Sequence, residues 1–195
     1  MNNSEVKKLA GGIMICDRLN NEDVIILGKS NIPKRNGVLE GFGGGAEDKD
    51  QTPLHTAVRE LIEEFFNKPV DITLVNKCVQ VLETNNHIKK VHKYYGVSYL
   101  IDFTGLECVF LEICSSYPEL GPYKVNNKFE LNKYIQERKI DENVTTWSGD
   151  GLNEIRSLHI IPISDVLEDK YKLRWYTHRI IHRMLNPKKI DNTTN

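Results

Sequence analysis

The stretch from Thr52 to Phe66 constrains this chain most. Leu54, Val58, Leu61, Ile62 and Phe65 recur at helical spacing and form one apolar stripe. Thr52 is a good N-cap, and Pro53 suits the first helical position. The stripe is expected to pack on a sheet. On a wheel of about 100° per residue, Glu60 and Glu63 fall on the opposite side and Glu64 on its flank. Glu60 and Glu64 are a like-charge pair at i,i+4, which costs about a few tenths of a kcal/mol in an isolated helix. A solvated acidic face is the ordinary explanation for such a run. The alternative is a hard cation: Mg²⁺ and Mn²⁺ take oxygen ligands in octahedral geometry and leave positions for water and phosphate.

The neighbouring sequence favours the cation. A loop rich in glycine, Gly41 to Gly45, runs into the helix. Glycine lets backbone approach a ligand or metal closely and present its polar groups. Upstream, Leu9 to Cys16 and Val24 to Leu27 read as buried strands joined by the turn-like DRLNNED. Asp71 to Leu82 and His92 to Phe103 read as two further strands, with a hairpin turn near Asn85-Asn86. Cys108 to Cys114 is another short apolar run. Ile155 to Ile161 reads as a strand and Ile163 to Leu185 as mostly helix.

The segment Gly43 to Phe66 resembles the Nudix box. That pattern runs G, five residues, E, seven residues, REU, one residue, EE, one residue, GU, with U a bulky aliphatic. Gly45, Arg59, Glu60, Leu61, Glu63 and Glu64 match it. LAGGIMI, GVLEGFGGG and EIRSLHIIPISDV are similar to the family's flanks. Three positions of the box, Gly45 to Asn67, depart: Gln51 stands for the first Glu, Phe66 for the closing Gly and Asn67 for the last aliphatic. Asp50 or Glu47 takes the place of that Glu if the loop is threaded differently.

The resemblance implies an α/β fold, the Nudix-type α/β/α sandwich with a mixed β-sheet. It implies a pyrophosphohydrolase acting on acid anhydrides: metal-dependent hydrolysis of a phosphoanhydride bond in a nucleoside diphosphate linked to another moiety. Mg²⁺ (or Mn²⁺) would be the cofactor. Glu63 and Glu64 are the leading ligands, with Glu60 next and a carbonyl of Gly44 or Gly45 added. Arg59 would orient the carboxylates. Glu154, just before the IRSLHII strand, is the candidate base or extra ligand, so that Glu63, Arg59 and Glu154 form the catalytic set.

The 195 residues fit one domain, residues 1–186, followed by a disordered tail at 187–195. Ser115 to Gly151, with a helix between Lys128 and Arg138, reads as an insertion covering one side of the metal site. Tyr94, Tyr95, Tyr117, Tyr123, Phe129 and Trp147 are the chain's aromatic candidates for stacking a base, with Tyr117, Tyr123 or Trp147 the insertion's contribution.

The net charge of −1 gives no bulk attraction to nucleic acid or an anionic membrane. From Asp165 to Asn195, however, seven Lys/Arg face four acidic residues, as a capped-RNA substrate would require. Capped RNA therefore stands as the alternative substrate. A non-catalytic nucleotide-binding module, or a pure RNA-binding adaptor, is the alternative to an enzyme. Cys16, Cys78, Cys108 and Cys114 form no CxxC pair and read as reduced thiols. His178 and His182 have no third ligand nearby in sequence. No apolar run approaches a membrane span and the polar start lacks a signal core, so a cytoplasmic protein is expected.

Overall fold

The computed structural model describes residues 10–93, 96–140, 144 and 151–185. Two strands begin it, β1 (Ala10–Leu19) and β2 (Glu22–Ser30). They are antiparallel, joined through Asn20 and Asn21. Both asparagines have positive φ, 50° and 67°, the conformation that a two-residue hairpin turn requires. Past the Ile15–Ile26 pair the two strands part. The fork is filled by β3 (Leu39–Glu40), which pairs with β2, and β4 (Phe42–Gly44), which pairs with β1. On its other edge β1 runs parallel to β6 (Gly96–Ile101). That strand is antiparallel to β5 (Ile88–Lys93), and β9 (Ile155–Pro162) closes the far side of β2. The sheet is therefore mixed.

Helices cover both faces, giving the expected α/β/α sandwich. On one face lie α1 (Pro53–Glu60), continued by a π-helical turn at Leu61–Phe65, then α2 (Ile72–Thr84) and α3 (Phe103–Cys114). Their apolar side chains share a core with Ile13, Ile15 and Ile26. The other face carries α5 (Ile163–Leu167) and α6 (Trp175–Leu185), packed around Met14, Ile25 and Leu27.

Two readings need correction. Residues 71–82 are helix, not strand. Asp71 caps α2 by accepting from the Leu74 amide at 2.9 Å, and Leu74, Val75, Cys78, Val79 and Leu82 form the buried helical face. The apolar run at Cys108–Cys114 belongs to a helix, capped by Asp102 on the Gly105 amide at 2.6 Å. Asn85 and Asn86 consequently follow a helix and are not the turn of a strand hairpin; the hairpin is β5–β6.

Residues 115–140 begin with a 3₁₀ turn at Pro118–Tyr123 and a small hairpin, β7 (Lys124–Val125) and β8 (Lys128–Phe129). A helix follows, α4 (Leu131–Glu137). Phe129 stacks on Phe110 at 3.9 Å between ring centres, and Tyr134 stacks on Phe65 at 5.6 Å. The segment thus extends the core beside α3 and the end of α1. The tail at 187–195 lies outside the described residues, as do Tyr94, Tyr95 and Trp147.

Candidate active site at the fork of the sheet

The fork brings the glycine-rich strand, the C-terminal end of α1 and the residues just before β9 to one cleft of about 620 Å³. That volume suits a small organic ligand. Thr52 caps α1, its hydroxyl accepting from the His55 amide, and Pro53 opens it as expected. The helix lies close to β1: a Cβ on Gly11 would collide with the Pro53 carbonyl and the Ala57 amide. This approach turns the row Pro53, Ala57, Glu60, Glu64 toward the sheet.

The carboxylates are therefore not on a solvent face, contrary to the expectation from the wheel. Glu60, Glu63 and Glu64 are 8%, 4% and 5% exposed, and Leu61 is buried with them. The stripe has its core, yet the opposite side is covered too, by β4 and the residues leading into β9. Gly44 is glycine for this reason: a Cβ there would run into the Glu60 carboxylate. The Gly43 amide donates to Glu64 Oε2 at 2.8 Å.

Arg59, 2% exposed, holds the cluster together. Its Nη2 donates to Glu60 Oε1 at 2.8 Å and to the Gly45 carbonyl at 2.8 Å. Its Nη1 donates to Glu63 Oε2 at 2.6 Å and lies 3.2 Å from Glu47 Oε1. Its Nε reaches Asp50 at 3.3 Å. Asp50 also accepts from the Glu47 amide at 2.9 Å and is 4% exposed, whereas Gln51 is exposed. Asp50 and Glu47 are thus the loop acids that reach Arg59.

Burial strains this charge set. It pushes Glu60 up to about 7 and Glu63 up to about 6, against the pull of Arg59. It holds Glu64 well above the usual carboxylate range, with Glu60, Glu40 and Glu154 adding repulsion and the Gly43 hydrogen bond opposing it. Glu154 bears on both Glu60 and Glu64 and lines the same cleft. Glu63 does not line it; its carboxylate is turned toward Arg59 and Gly151.

Among the described residues, no three His, Cys, Asp or Glu side chains form a ready-made metal cage. The donor chemistry of Glu60, Glu64 and Glu154 still suits Mg²⁺ or Mn²⁺. These ions take oxygen ligands and keep several waters, so they do not need an all-protein cage. A bound cation would also offset the burial and mutual repulsion that raise Glu60 and Glu64.

Sequence reasoning missed the other wall. Glu40, 3% exposed, accepts from Arg174 Nη1 at 2.8 Å and from the Tyr176 hydroxyl at 3.4 Å, and lies 3.6 Å from Arg35 Nη1. The backbone of Leu39 exchanges hydrogen bonds with Lys172 and Arg174, which seats the start of α6 over the fork. Trp175, 60% exposed, lines the cleft with Arg35, Arg174 and Arg179. The acid inside the otherwise apolar and glycine-rich VLEGFGGG was the available signal for Glu40. Tyr117, Tyr123 and Phe129, by contrast, line none of the cleft. Tyr117 donates to the Pro69 carbonyl, and Tyr123 and Phe129 pack around Tyr134. The expected cover over the metal site is thus not formed by the described part of residues 115–140.

No family model matches the chain. No curated protein matches it in sequence. Similar solved structures include the NUDIX domain of Shewanella oneidensis NrtR complexed with ADP ribose. It is 10% identical, with 94% of this chain and 89% of that one covered and a TM-score of 0.46. A NUDIX hydrolase from Alicyclobacillus acidocaldarius is 9% identical over 94% and 92%, with a TM-score of 0.45. A C. elegans Ap4A hydrolase binary complex is 9% identical over 90% and 93%, with a TM-score of 0.41.

Proposed function

We propose that this chain is a divalent-metal-dependent hydrolase of the Nudix type, cutting a phosphoanhydride bond in a nucleoside diphosphate derivative. The observation that carries the reading is the cleft-lining trio Glu60, Glu64 and Glu154. All three bear on one another electrostatically beside a glycine-rich strand, in a box whose arginine is buried. Three carboxylates gathered at one cleft, two of them buried, are costly unless they serve a cation.

Glu60, Glu64 and Glu154 would hold Mg²⁺ or Mn²⁺. When bound, the cation supplies charge neutralisation on the anhydride oxygens and lowers the pKa of water. Arg59 fixes Glu60 and the Gly45 carbonyl in place by charge-assisted hydrogen bonds. Glu63 locks Arg59 from the other side, so its role is positioning rather than direct ligation. Glu154 stands at the first turn of chain before β9, where its carboxylate can accept a proton from an attacking water.

The test is a panel of ADP-ribose, sugar nucleotides, dinucleoside polyphosphates and capped RNA, each incubated with Mg²⁺ or Mn²⁺. Products are identified by mass spectrometry. Cleavage at an anhydride, abolished by chelation and reduced at least a hundredfold by Glu64→Gln, is expected. Nucleotide binding with no cleavage of any member under either metal would leave a binding module and remove the hydrolase.

A further inference from the structure

The two walls of the cleft come from opposite faces of the sheet. The α1 side supplies Glu60 and Glu64. The other side supplies Arg35, Arg174, Trp175 and Arg179. Glu40 on this wall pairs with both Arg174 and Arg35.

Among the described residues lining the cleft, three are Phe, Tyr or Trp. Phe42 is 1% exposed and belongs to the core. Tyr176 has its hydroxyl on Glu40 and its ring under the Arg174 guanidinium, at 5.2 Å. Trp175, 60% exposed and edge-on to the Tyr176 ring at 6.1 Å, is the most exposed of the three. Its backbone is not free to drift. Arg174 donates to the Leu39 carbonyl at 2.9 Å, and the Gly41 amide is tied to the Thr177 hydroxyl at 3.3 Å. An exposed indole on a fixed mount beside arginines meets the two parts of a nucleotide, a flat aromatic base and an anionic phosphate chain.

We propose that Trp175 is the base platform of a nucleotide subsite. A nucleobase stacks on its indole, and the attached 5′-diphosphate passes between Arg35 and Arg179 on one wall and the carboxylate trio on the other. This rests on the reading that the cleft takes a nucleoside diphosphate derivative, and it names the residue that recognises the nucleoside.

The test separates the two ideas by using ligands that cannot be cleaved. The chain has two tryptophans, so Trp147→Phe leaves Trp175 as the one indole. In that protein, with Mg²⁺, the α,β-methylene analogues of ADP and GDP are titrated while tryptophan emission is followed. Methylenediphosphonate serves as the ligand without a base. Saturable quenching by the nucleotide analogues and none by methylenediphosphonate is expected. By calorimetry on the otherwise native chain, Trp175→Ala should weaken the nucleotide analogues by about ten- to a hundredfold. It should leave methylenediphosphonate within about twofold. Trp175→Leu, which keeps apolar bulk and loses the flat ring, should behave as Trp175→Ala does. Absence of quenching, or nucleotide affinity unchanged by Trp175→Ala, overturns the proposal. Because no probe has an anhydride to cut, stacking without turnover in the panel would remove the hydrolase and keep this subsite. Turnover with unchanged kinetics in Trp175→Ala would do the reverse.

Discussion

At the scale of single residues, Arg59 is the arbiter of the site, and its partners differ in what they contribute. Asp50 and Gln51 are adjacent, but only Asp50 is buried against the guanidinium. Asp50→Asn should lower activity at least tenfold and reduce the melting temperature, because it removes a buried counter-charge from Arg59. Gln51→Glu should change activity by less than about twofold, since an exposed side chain cannot reach the pair it would need to join. A large gain from Gln51→Glu would show that the loop is threaded in the other register. The raised carboxylates make a second prediction. Burial lifts Glu60 to about 7 and Glu63 to about 6, above the ordinary 4.5. The folded chain therefore holds protons that the unfolded chain has released. Their contribution to stability is fully present below the ordinary value and is lost as pH rises through the folded values. The chelated protein should melt at progressively lower temperature from about pH 5 to about pH 8, and Mg²⁺ or Mn²⁺ should restore it at the upper end. Glu64→Gln should flatten this dependence and abolish most of the metal effect, since Gln can still accept from the Gly43 amide. Glu63→Gln is a poorer probe, because it also removes the counter-charge from the 2.6 Å bond to Arg59. A melting temperature indifferent to both pH and metal would remove the cation from this cluster.

At the scale of elements, the end of α1 explains two departures from the box. The helix leaves α geometry at Leu61–Phe65 for one wider π turn, which takes up an extra residue. The left-handed residue that closes the helix is then Asn67, with φ 52°. Phe66, standing where the pattern places Gly, keeps φ −90° and is free to be large. It fills the core against Phe110 and Phe129. Asn67 tolerates the left-handed region better than most residues and gains more from it. Its side chain exchanges hydrogen bonds with Asn153, at 2.8 and 3.2 Å, and so ties the helix end to the residue before Glu154. Asn67→Ala should lose about 1–2 kcal/mol of stability through both strain and the missing bonds. Asn67→Gly should remain close to the parent in stability, yet lower activity about as much as Asn67→Ala, since only the tie to Glu154 is lost in both. Equal activity of Asn67→Gly and the parent, measured on the best substrate, would show that this tie does not place Glu154. The start of α1 was legible in the sequence because a cap, a proline and an apolar stripe all agree. The helix α2 was not, because Ile72, Thr73, Val75, Val79 and Val81 bias the local reading toward strand, and the run Cys108–Cys114 within α3 does not by itself distinguish helix from strand. The Asp71 and Asp102 caps, with apolar spacings of three and four, carried the opposing signal. The side of α1 that faces the sheet was misread because a wheel shows which residues are apolar, not which are covered. Glu60 and Glu64 are covered by glycines of β4, a contact between residues distant in sequence.

At the scale of the whole molecule, residues 115–140 act on the site through its frame. A π turn at the buried end of α1 leaves carbonyls that need donors. The segment supplies them: Tyr134 donates from its hydroxyl to Phe65 O at 3.1 Å, and Arg138 Nη2 donates to Glu64 O at 2.7 Å. Arg138 Nη1 reaches the Ile155 carbonyl as well. One buried guanidinium thereby bridges the backbone of Glu64 to that of the residue after Glu154, and so spans two of the three cleft carboxylates. Replacing the whole segment with a short Gly/Ser loop should therefore unfold or strongly destabilise the chain, instead of changing its choice of leaving group. Point variants separate support from positioning. Phe129→Ala removes a ring stacked on Phe110 and should cost about 3–5 kcal/mol, with kcat in the cold, where the variant is still folded, within about twofold of the parent. Arg138→Met keeps much of the volume but orphans the carbonyls of Glu64 and Ile155. It should lower kcat at least tenfold while KM stays within about threefold, because the ligand-facing wall of α6 is untouched. Arg138→Lys, able to reach one carbonyl but not bridge two, should fall between Arg138→Met and the parent. Steady-state kinetics on all three variants, alongside melting curves, decide the matter. If Arg138→Met and Phe129→Ala lose kcat in the same proportion to their loss of stability, the guanidinium is only packing. A kcat loss in Arg138→Met beyond that shared proportion identifies it as the group that holds Glu64 and Glu154 at their working separation.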